Sequence, residues 1–301
     1  MTKQQQELYN WLIKHPGYLK KSVNTIPNPL NYEIASNRFI IDMEIALKQA
    51  RIDSKTFKPK SNNLVEEYIK PVLKPVKIQK QLDPSNVIFL PDLHAPFIKE
   101  GVLEFCKEQQ LKYNCGTVIF AGDIIDGHAW SYHEHDPDGM SVGDELSAAR
   151  KQLLPWFKAF PNAISLMGNH DLLIQRKART IGLSAQFIKG FGDVIGAPKT
   201  WRFDLEHTKD NVLYKHGSIG DAFKVAKESR ISTVQGHFHA RTFVQWSVSE
   251  KDAIFGMQVG WGADRHAYAF DYGKSFTNKP IISCGLVLDK GTTPIVKLMQ
   301  L

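Results

Sequence analysis

The sequence has few cysteines, no long apolar run and no apolar segment at its start. Three cysteines in 301 residues, none at a zinc-finger spacing, argue against a disulfide framework and indicate a reducing compartment, so we expect a cytoplasmic protein. No run approaches the ~20 apolar residues of a spanning helix, and the first residues are polar, unlike a secretion signal. With 43% hydrophobic and 23% charged residues, the composition predicts a globular protein without a membrane partner.

Positive charge is unevenly distributed along the chain. The net charge is +7, and residues 1–85 carry 14 Lys and Arg against 8 Asp and Glu, whereas the remainder is nearly balanced. This excess suits an acidic partner such as nucleic acid, and an ordinary solvated surface accounts for it equally well. If nucleic acid binds here, the expected contacts are Lys20, Lys21, Arg38, Lys48 and Arg51.

Breaks in the pattern divide the chain into three parts. Residues 1–52 contain short helical patterns separated by Pro and Gly, which is typical of a small helix-turn-helix-like module. Residues 53–85 are rich in Lys and Pro and predict a linker. From residue 86 to 301, short apolar runs alternate with helical stretches, including one over 171–190, which predicts βαβ units. The strand-rich sequence after residue 240 predicts an added antiparallel layer.

Side chains that can bind metal follow five of the predicted strands directly. In chain order they are Asp92, His94, Asp123, Asn169, His216, His237 and His239. Because ligands bind beyond the carboxyl ends of strands in α/β folds, we expect these side chains to converge. Carboxylate, amide and imidazole without thiolate suit Mn²⁺, Fe or Zn²⁺ better than Ca²⁺. Seven ligands are too many for one tetrahedral ion and suffice for two that share a bridge.

The order and spacing of these residues resemble a known family. The series Asp92-x-His94, Gly122-Asp123, Gly168-Asn169-His170, His216-Gly217 and Gly236-His237-x-His239 is similar to the motifs of the calcineurin-like metallophosphoesterase superfamily, over about residues 86–240. The resemblance implies a mixed α/β fold, a four-layer αββα sandwich, with the small helical N-terminal module outside it. It also implies a dinuclear centre, with Mn²⁺ expected first and Fe or Zn²⁺ as alternatives.

The same resemblance implies a role for each motif residue. Asp92, His94, Asp123 and His239 would hold one ion, and Asp123, Asn169, His216 and His237 the other, with Asp123 as the bridge. A metal-bound hydroxide would then attack phosphorus, and His170 would protonate the leaving oxygen. Asp126 would orient His170, as in the protein Ser/Thr phosphatase branch. That branch has an arginine directly after this aspartate, where this sequence has Gly127, and the difference argues against a phosphoprotein phosphatase.

Substrate contacts are expected in the segment after the second metal-binding strand. His128, Trp130, Tyr132 and His133 would lie at the rim of the site, joined by Arg176 from a following helix, although a solvated loop and a solvent-facing arginine are the alternatives. The leading hypothesis is a phosphodiesterase or nuclease that acts on DNA. The runner-up is a phosphomonoesterase acting on nucleotides or phosphoproteins, and the third is a non-catalytic nucleic-acid-binding protein. The sequence does not predict an oligomeric state.

Overall fold

The computed structural model describes residues 3–15, 45–50, 81–132, 136–273, 275 and 277–300. The chain divides into two compact units, residues 1–78 and 79–301. Four of the basic residues expected to contact nucleic acid lie outside the described residues, as does most of the expected linker over 53–85. These four are Lys20, Lys21, Arg38 and Arg51.

In the smaller unit the structure describes one helix and a second helical stretch. Helix α1 spans Lys3–Lys14, and residues 45–50 are also helical. Leu8 and Leu12 lie one turn apart on α1 and are fully buried. They form a small apolar cluster with Ala46, Leu47 and Ala50. Lys48 lies among these helical residues and is exposed, so its ammonium group faces solvent.

The larger unit contains eleven described strands and five further described α-helices. The strands are β1 (Asp83–Leu90), β2 (Cys115–Phe120), β3 (Ile164–Leu166), β4 (Arg202–Asp204), β5 (Glu206–Lys209), β6 (Val212–Lys215), β7 (Ser232–Gln235), β8 (Phe243–Val248), β9 (Ala253–Gln258), β10 (Ser283–Leu288) and β11 (Thr293–Leu298). The helices are α2 (Val102–Lys112), α3 (Val142–Ala159), α4 (Leu173–Thr180), α5 (Phe191–Ile195) and α6 (Ala222–Ser229). No helix in the described ranges is long and apolar enough to cross a membrane.

The strands form two mixed sheets. The first has six strands in the order β11-β10-β1-β2-β3-β4, in which β1 to β4 are parallel and β10 and β11 are antiparallel. The second has five strands in the order β5-β6-β7-β9-β8, with β6, β7 and β9 parallel. This architecture confirms the predicted mixed α/β fold.

Alternation along β1 shows how the layers are stacked. Val87 and Phe89 point to one face and join the core between the sheets, where the Phe89 and Tyr214 rings lie 6.0 Å apart. Ile88 and Leu90 point to the other face, into a core shared with α2 and α3. On the far side of the second sheet, α6 lies so close to β9 that a Cβ on Gly256 would overlap the backbone of α6. The layers are therefore helix, sheet, sheet, helix.

Two sequence expectations for the secondary structure are wrong in detail. The helix expected over 171–190 ends at Thr180, because Gly182 adopts a left-handed conformation with φ of +74° and a single 3₁₀ turn follows over Ala185–Phe187. The strands after residue 240 do not form one added layer. Instead, β8 and β9 extend the second sheet, while β10 and β11 pair with β1 in the first.

Candidate metal centre

The expected ligands lie at the carboxyl ends of parallel strands from both sheets. The first sheet places Asp92 and His94 after β1, Asp123 after β2 and Asn169 after β3. The second sheet places His216 after β6, and His237 and His239 after β7. Because the sheets pack face to face, these loops meet at one edge of the sandwich. Six of the seven residues form two overlapping groups, and Asn169 contacts His216 of the second.

The first group consists of Asp92, His94, Asp123 and His239. Each offers one ligand atom within 4.8 Å of the others. The Nε2 atoms of His94 and His239 lie 3.3 Å apart, and His239 Nε2 lies 3.2 Å from Asp92 Oδ2. Asp92 Oδ1 is buried without a hydrogen-bond partner. Buried polar atoms are rarely left unsatisfied. A buried carboxylate with one unpartnered oxygen, whose other oxygen faces the imidazole of His239, fits a group held for a divalent cation.

The second group consists of Asp123, His216 and His237, whose ligand atoms also lie within 4.8 Å of one another. His216 Nε2 is 3.2 Å from Asp123 Oδ2 and 3.1 Å from the side-chain oxygen of Asn169. Asp123 therefore belongs to both groups, and its carboxylate lies where two ions could share it.

Hydrogen bonds to the outer side of two histidines direct their other nitrogen into the site. His216 Nδ1 donates to the carbonyl oxygen of Ala121 at 3.0 Å. A carbonyl only accepts, so Nδ1 carries a proton and Nε2 is the nitrogen directed at Asp123 and Asn169. His94 Nδ1 likewise donates to Asp126 Oδ1 at 2.8 Å. Such a partner behind the ring is the usual support of a metal-binding histidine.

The sequence led us to expect that the Asp126 side chain orients His170. The structure shows that it does not. Its carboxylate is bonded to His94 and lies 3.9 Å from His170 Nδ1, beyond hydrogen-bond distance. Instead His170 Nδ1 donates to the backbone carbonyl oxygen of Asp126. These two hydrogen bonds explain why His94, Asp126 and His170 also form a compact cluster. The His170 side chain is 26% exposed, so part of the ring is accessible from outside the site.

Tight backbone geometry places the ligands. His94, Asp123 and His237 have φ angles of +50°, +45° and +68°, a left-handed conformation that is uncommon for residues other than glycine. Such outliers concentrate at functional sites because the surrounding structure must hold them. At Gly168, a Cβ would overlap the Asp123 carboxylate, so only glycine lets the loop after β3 approach that ligand.

The charged groups of the site strongly shift the pKa values of Asp123 and His216. Burial alone would raise the pKa of Asp123, but His216 and His170 outweigh burial and hold that pKa well below its usual range. Burial would lower the pKa of His216, yet the carboxylates of Asp123 and Asp92 raise it to about 10. His216 is therefore protonated and compensates the two carboxylates. A divalent cation bound here would supply that compensation and displace the proton.

The other two histidines of the second sheet are shifted in the opposite direction. Burial, reinforced by the charge of His216, lowers the pKa of His237. Burial also lowers the pKa of His239, and its contact with Asp92 offsets this only in part. Both rings are therefore neutral near pH 7, the form in which imidazole binds a metal.

Comparison with known proteins identifies the family. The chain matches the calcineurin-like phosphoesterase family over residues 85–271. This chain belongs to that family. Among solved structures it is similar to YfcE, a phosphoesterase from E. coli, with 14% identity, a TM-score of 0.34, and 68% of this chain and 88% of that chain covered. It is also similar to vacuolar protein sorting 29 from Cryptosporidium parvum, with 12% identity, a TM-score of 0.35, and 71% and 96% covered. A search of curated proteins found no match.

Sequence reasoning missed residues that support this phosphoesterase site. Asp171 is buried and accepts hydrogen bonds from the backbone N–H groups of Ile124 at 2.9 Å and Gly168 at 3.0 Å, which ties the loops after β2 and β3 together. Burial and the charge of Asp123 raise the pKa of Asp171 to about 7. Its position directly after His170 was the available signal. Trp261 stacks on His239 with ring centroids 4.8 Å apart, and no sequence pattern pointed to it.

Of the four residues expected at the rim of the site, the three that the structure describes differ from one another in burial and contacts. Trp130 is 9% exposed and packs in the core, so the expectation of a substrate contact there is wrong. Tyr132 is exposed and lies beneath the cations of Arg176, at 5.3 Å, and Lys177, at 5.0 Å. His128 accepts the Asp136 N–H at 3.1 Å. His133 lies outside the described residues.

Gly168→Ala should weaken divalent-metal binding, because the added Cβ displaces the Asp123 carboxylate. We expect at least ~10-fold lower Mn²⁺ affinity by isothermal titration calorimetry, the scale seen when the support of a ligand is lost. Gly143→Ala on α3 is the matched control, since the nearest atom to its new Cβ is Ser141 Oγ at 4.0 Å. That control should bind Mn²⁺ normally. Unchanged affinity in Gly168→Ala would contradict the placement of Asp123.

Proposed function

We propose that this chain is a metal-dependent phosphodiesterase that uses two divalent ions, Mn²⁺ first with Fe or Zn²⁺ as alternatives, and acts on DNA. The observation that carries the proposal is the membership of Asp123 in both ligand groups. When bound, two ions supply an activated water as nucleophile and a clamp for the phosphate oxygens.

The side chains of the site have two further roles, metal binding and proton donation. Asp92, His94 and His239 would hold one ion, and Asn169, His216 and His237 would hold the other, with Asp123 available to both. His170 is held by its Nδ1 on the Asp126 carbonyl and by its backbone N–H, which donates to Asp123 Oδ1 at 2.9 Å. Its ring is thereby fixed with Nε2 available to donate a proton to the leaving oxygen.

The surroundings of Gly127 favour a diester over a phosphoprotein. Gly127 has a φ of +72°, and a Cβ there would lie 2.9 Å from the Trp130 ring. An arginine at this position, where the protein phosphatases carry one, would be strained and would meet the indole. A phosphate monoester carries one more negative charge than a diester, and an arginine at position 127 would stabilise that charge. The lack of an arginine there favours diesters. The runner-up remains a phosphomonoesterase acting on nucleotides or phosphoproteins, because the same ligand set serves both esters.

Nucleic acid is the proposed polymer because positive charge is concentrated before residue 86. A basic segment joined to a phosphodiesterase would raise the local concentration of a polyanion near the site. The third hypothesis, a binding protein without activity, is disfavoured because every ligand position of the family motifs is filled. The expectation of a cytoplasmic location stays a prediction.

A substrate panel tests the proposed reaction. With Mn²⁺, the protein should hydrolyse bis-p-nitrophenyl phosphate and DNA faster than p-nitrophenyl phosphate, and circular and linear DNA would separate internal from terminal cleavage. Asp123→Asn should abolish hydrolysis and bind fewer than two ions per chain by elemental analysis, because one neutral amide oxygen cannot bridge two cations. Faster monoester hydrolysis would favour the runner-up, and full metal occupancy in Asp123→Asn would disprove the bridge.

His170→Ala should leave both ions bound and slow the hydrolysis of poor leaving groups by ~10²–10⁴-fold, the usual scale of general acid catalysis. With p-nitrophenolate as leaving group the defect should shrink, since that anion needs little protonation. Steady-state rates on bis-p-nitrophenyl phosphate and on an oligonucleotide provide the comparison. An equal defect on both substrates would assign His170 to binding instead.

Replacing Lys20, Lys21, Arg38, Lys48 and Arg51 together with Ala should weaken DNA binding and flatten its salt dependence. Each lost phosphate contact lowers the slope of log K against log salt by about 0.9 on duplex DNA. Fluorescence anisotropy of a labelled duplex in the His170→Ala background measures the slope. A matched set of five exposed lysines from the larger unit, changed to Ala, is the control: Lys107, Lys151, Lys158, Lys199 and Lys251. If the slope of log K against log salt is the same in both variants, the basic segment has no specific role in capturing DNA.

A further inference from the structure

A cavity of about 430 Å³ opens directly beside the metal centre. His239 forms one wall, Trp261 and Phe270 form an apolar wall, and Arg265, Asn278 and Lys279 contribute polar groups. All but one of these residues come from the segment after β9, which carries none of the metal-binding motifs. The volume falls in the range of small-molecule sites.

His239 joins the cavity to the metal centre. Its Nε2 lies 3.2 Å from Asp92 Oδ2 and 3.3 Å from His94 Nε2, inside the first ligand group. The same imidazole stacks on Trp261, with ring planes 27° apart. A phosphate bound at the ligands would lie across this one ring from the cavity, and its ester group would reach the cavity past the His239 side chain, which is 20% exposed.

The apolar wall is rigid and aromatic. Trp261 is 2% exposed, and its backbone N–H donates to the carbonyl oxygen of Ile281 at 3.0 Å. Phe270 lies 4.7 Å from Trp261 and is backed by Phe97 at 5.8 Å. A surface that is already ordered loses little conformational entropy when a flat ring binds to it.

Polar groups at the opening add hydrogen-bonding capacity. Arg265 is exposed and donates from Nε to His266 at 3.2 Å, which engages one of the five N–H donors of a guanidinium group. Asn278 is exposed on the same cavity and has both donor and acceptor groups. A rigid aromatic wall with donors and acceptors at the rim matches a heteroaromatic base joined to a sugar better than it matches an alkyl or peptide group.

We propose that this cavity binds the nucleoside attached to the phosphate at the metal centre. The inference rests on the proposed phosphodiesterase activity and specifies its substrate. Because the cavity has room for one nucleoside, it selects a terminal nucleotide or a small nucleotide ester. The base occupies the opening over the nearly buried edges of Trp261 and Phe270, which are 2% and 6% exposed, and Arg265 contacts its edge or the sugar.

Two diesters with one leaving group test this inference. In p-nitrophenyl thymidine 5′-phosphate and p-nitrophenyl methyl phosphate, water adds to phosphorus, the P–O bond to the aryl group breaks and p-nitrophenolate leaves. The chemical step is therefore matched, and only the retained group differs. With Mn²⁺ the wild type should show kcat/KM at least ~5-fold higher for the thymidine ester, the lower end of what base stacking on aromatic side chains contributes.

Cavity variants assign this preference to the cavity. Asn278→Trp, which fills the opening, and Arg265→Ala should each reduce the preference toward one, mainly through a higher KM for the thymidine ester. Arg202→Ala is the matched control, because Arg202 is exposed on the edge strand β4 and pairs with Asp204. It should retain the preference.

The outcomes separate the two proposals. Equal kcat/KM for both esters in the wild type would overturn the cavity inference while leaving the phosphodiesterase intact. A preference that survives both cavity variants would also overturn it. Hydrolysis of neither diester, with p-nitrophenyl phosphate still cleaved, would instead count against the proposed function.

Discussion

Burial of two carboxylates, Asp92 and Asp123, is the constraint on which the rest of the site depends. Their exposed fractions are 0% and 1%, and a buried carboxylate is costly unless it is paired and hydrogen-bonded. The protein satisfies each from its backbone: the His237 N–H donates to Asp92 at 2.7 Å and the His170 N–H to Asp123 at 2.9 Å. The other oxygen of Asp123 faces the His216 imidazole, and the other oxygen of Asp92 is buried without a hydrogen-bond partner. This is the arrangement expected of carboxylates held for cations.

Holding those carboxylates requires unusual support from the sandwich. Three ligands adopt left-handed backbone conformations, and such strain persists only when the packing around it is firm. Buried side-chain amides stabilise the backbone at the end of β7. Gln258 donates to the carbonyl oxygen of Gly236, next to His237, and accepts a hydrogen bond from Gln235 at 3.1 Å. The core between the sheets thus determines where the second-sheet ligands lie.

The ligand set could be predicted from sequence because each ligand directly follows an apolar run. The carboxyl ends of parallel strands lie at one edge of a sheet. The order of the motifs was therefore enough to predict that Asp92 and His216 lie close together. Other features have no local signal. Strand β5 reads Glu-His-Thr-Lys and has no apolar alternation of its own. The choice of β10 as the antiparallel partner of β1, with Ile88 opposite Leu286, depends on tertiary packing between segments far apart in the chain.

The side-chain directions were equally beyond the sequence. Asp126 lies three residues after Asp123, and that spacing is compatible with either His94 or His170 as its partner. The structure uses both: the Asp126 carboxylate supports the ligand His94, and its carbonyl supports His170. One residue therefore positions a metal ligand and the proposed proton donor through different atoms. It follows that the side chain of Asp126 acts on the metal centre, while the placement of His170 depends on the course of the main chain, which only the folded loop determines.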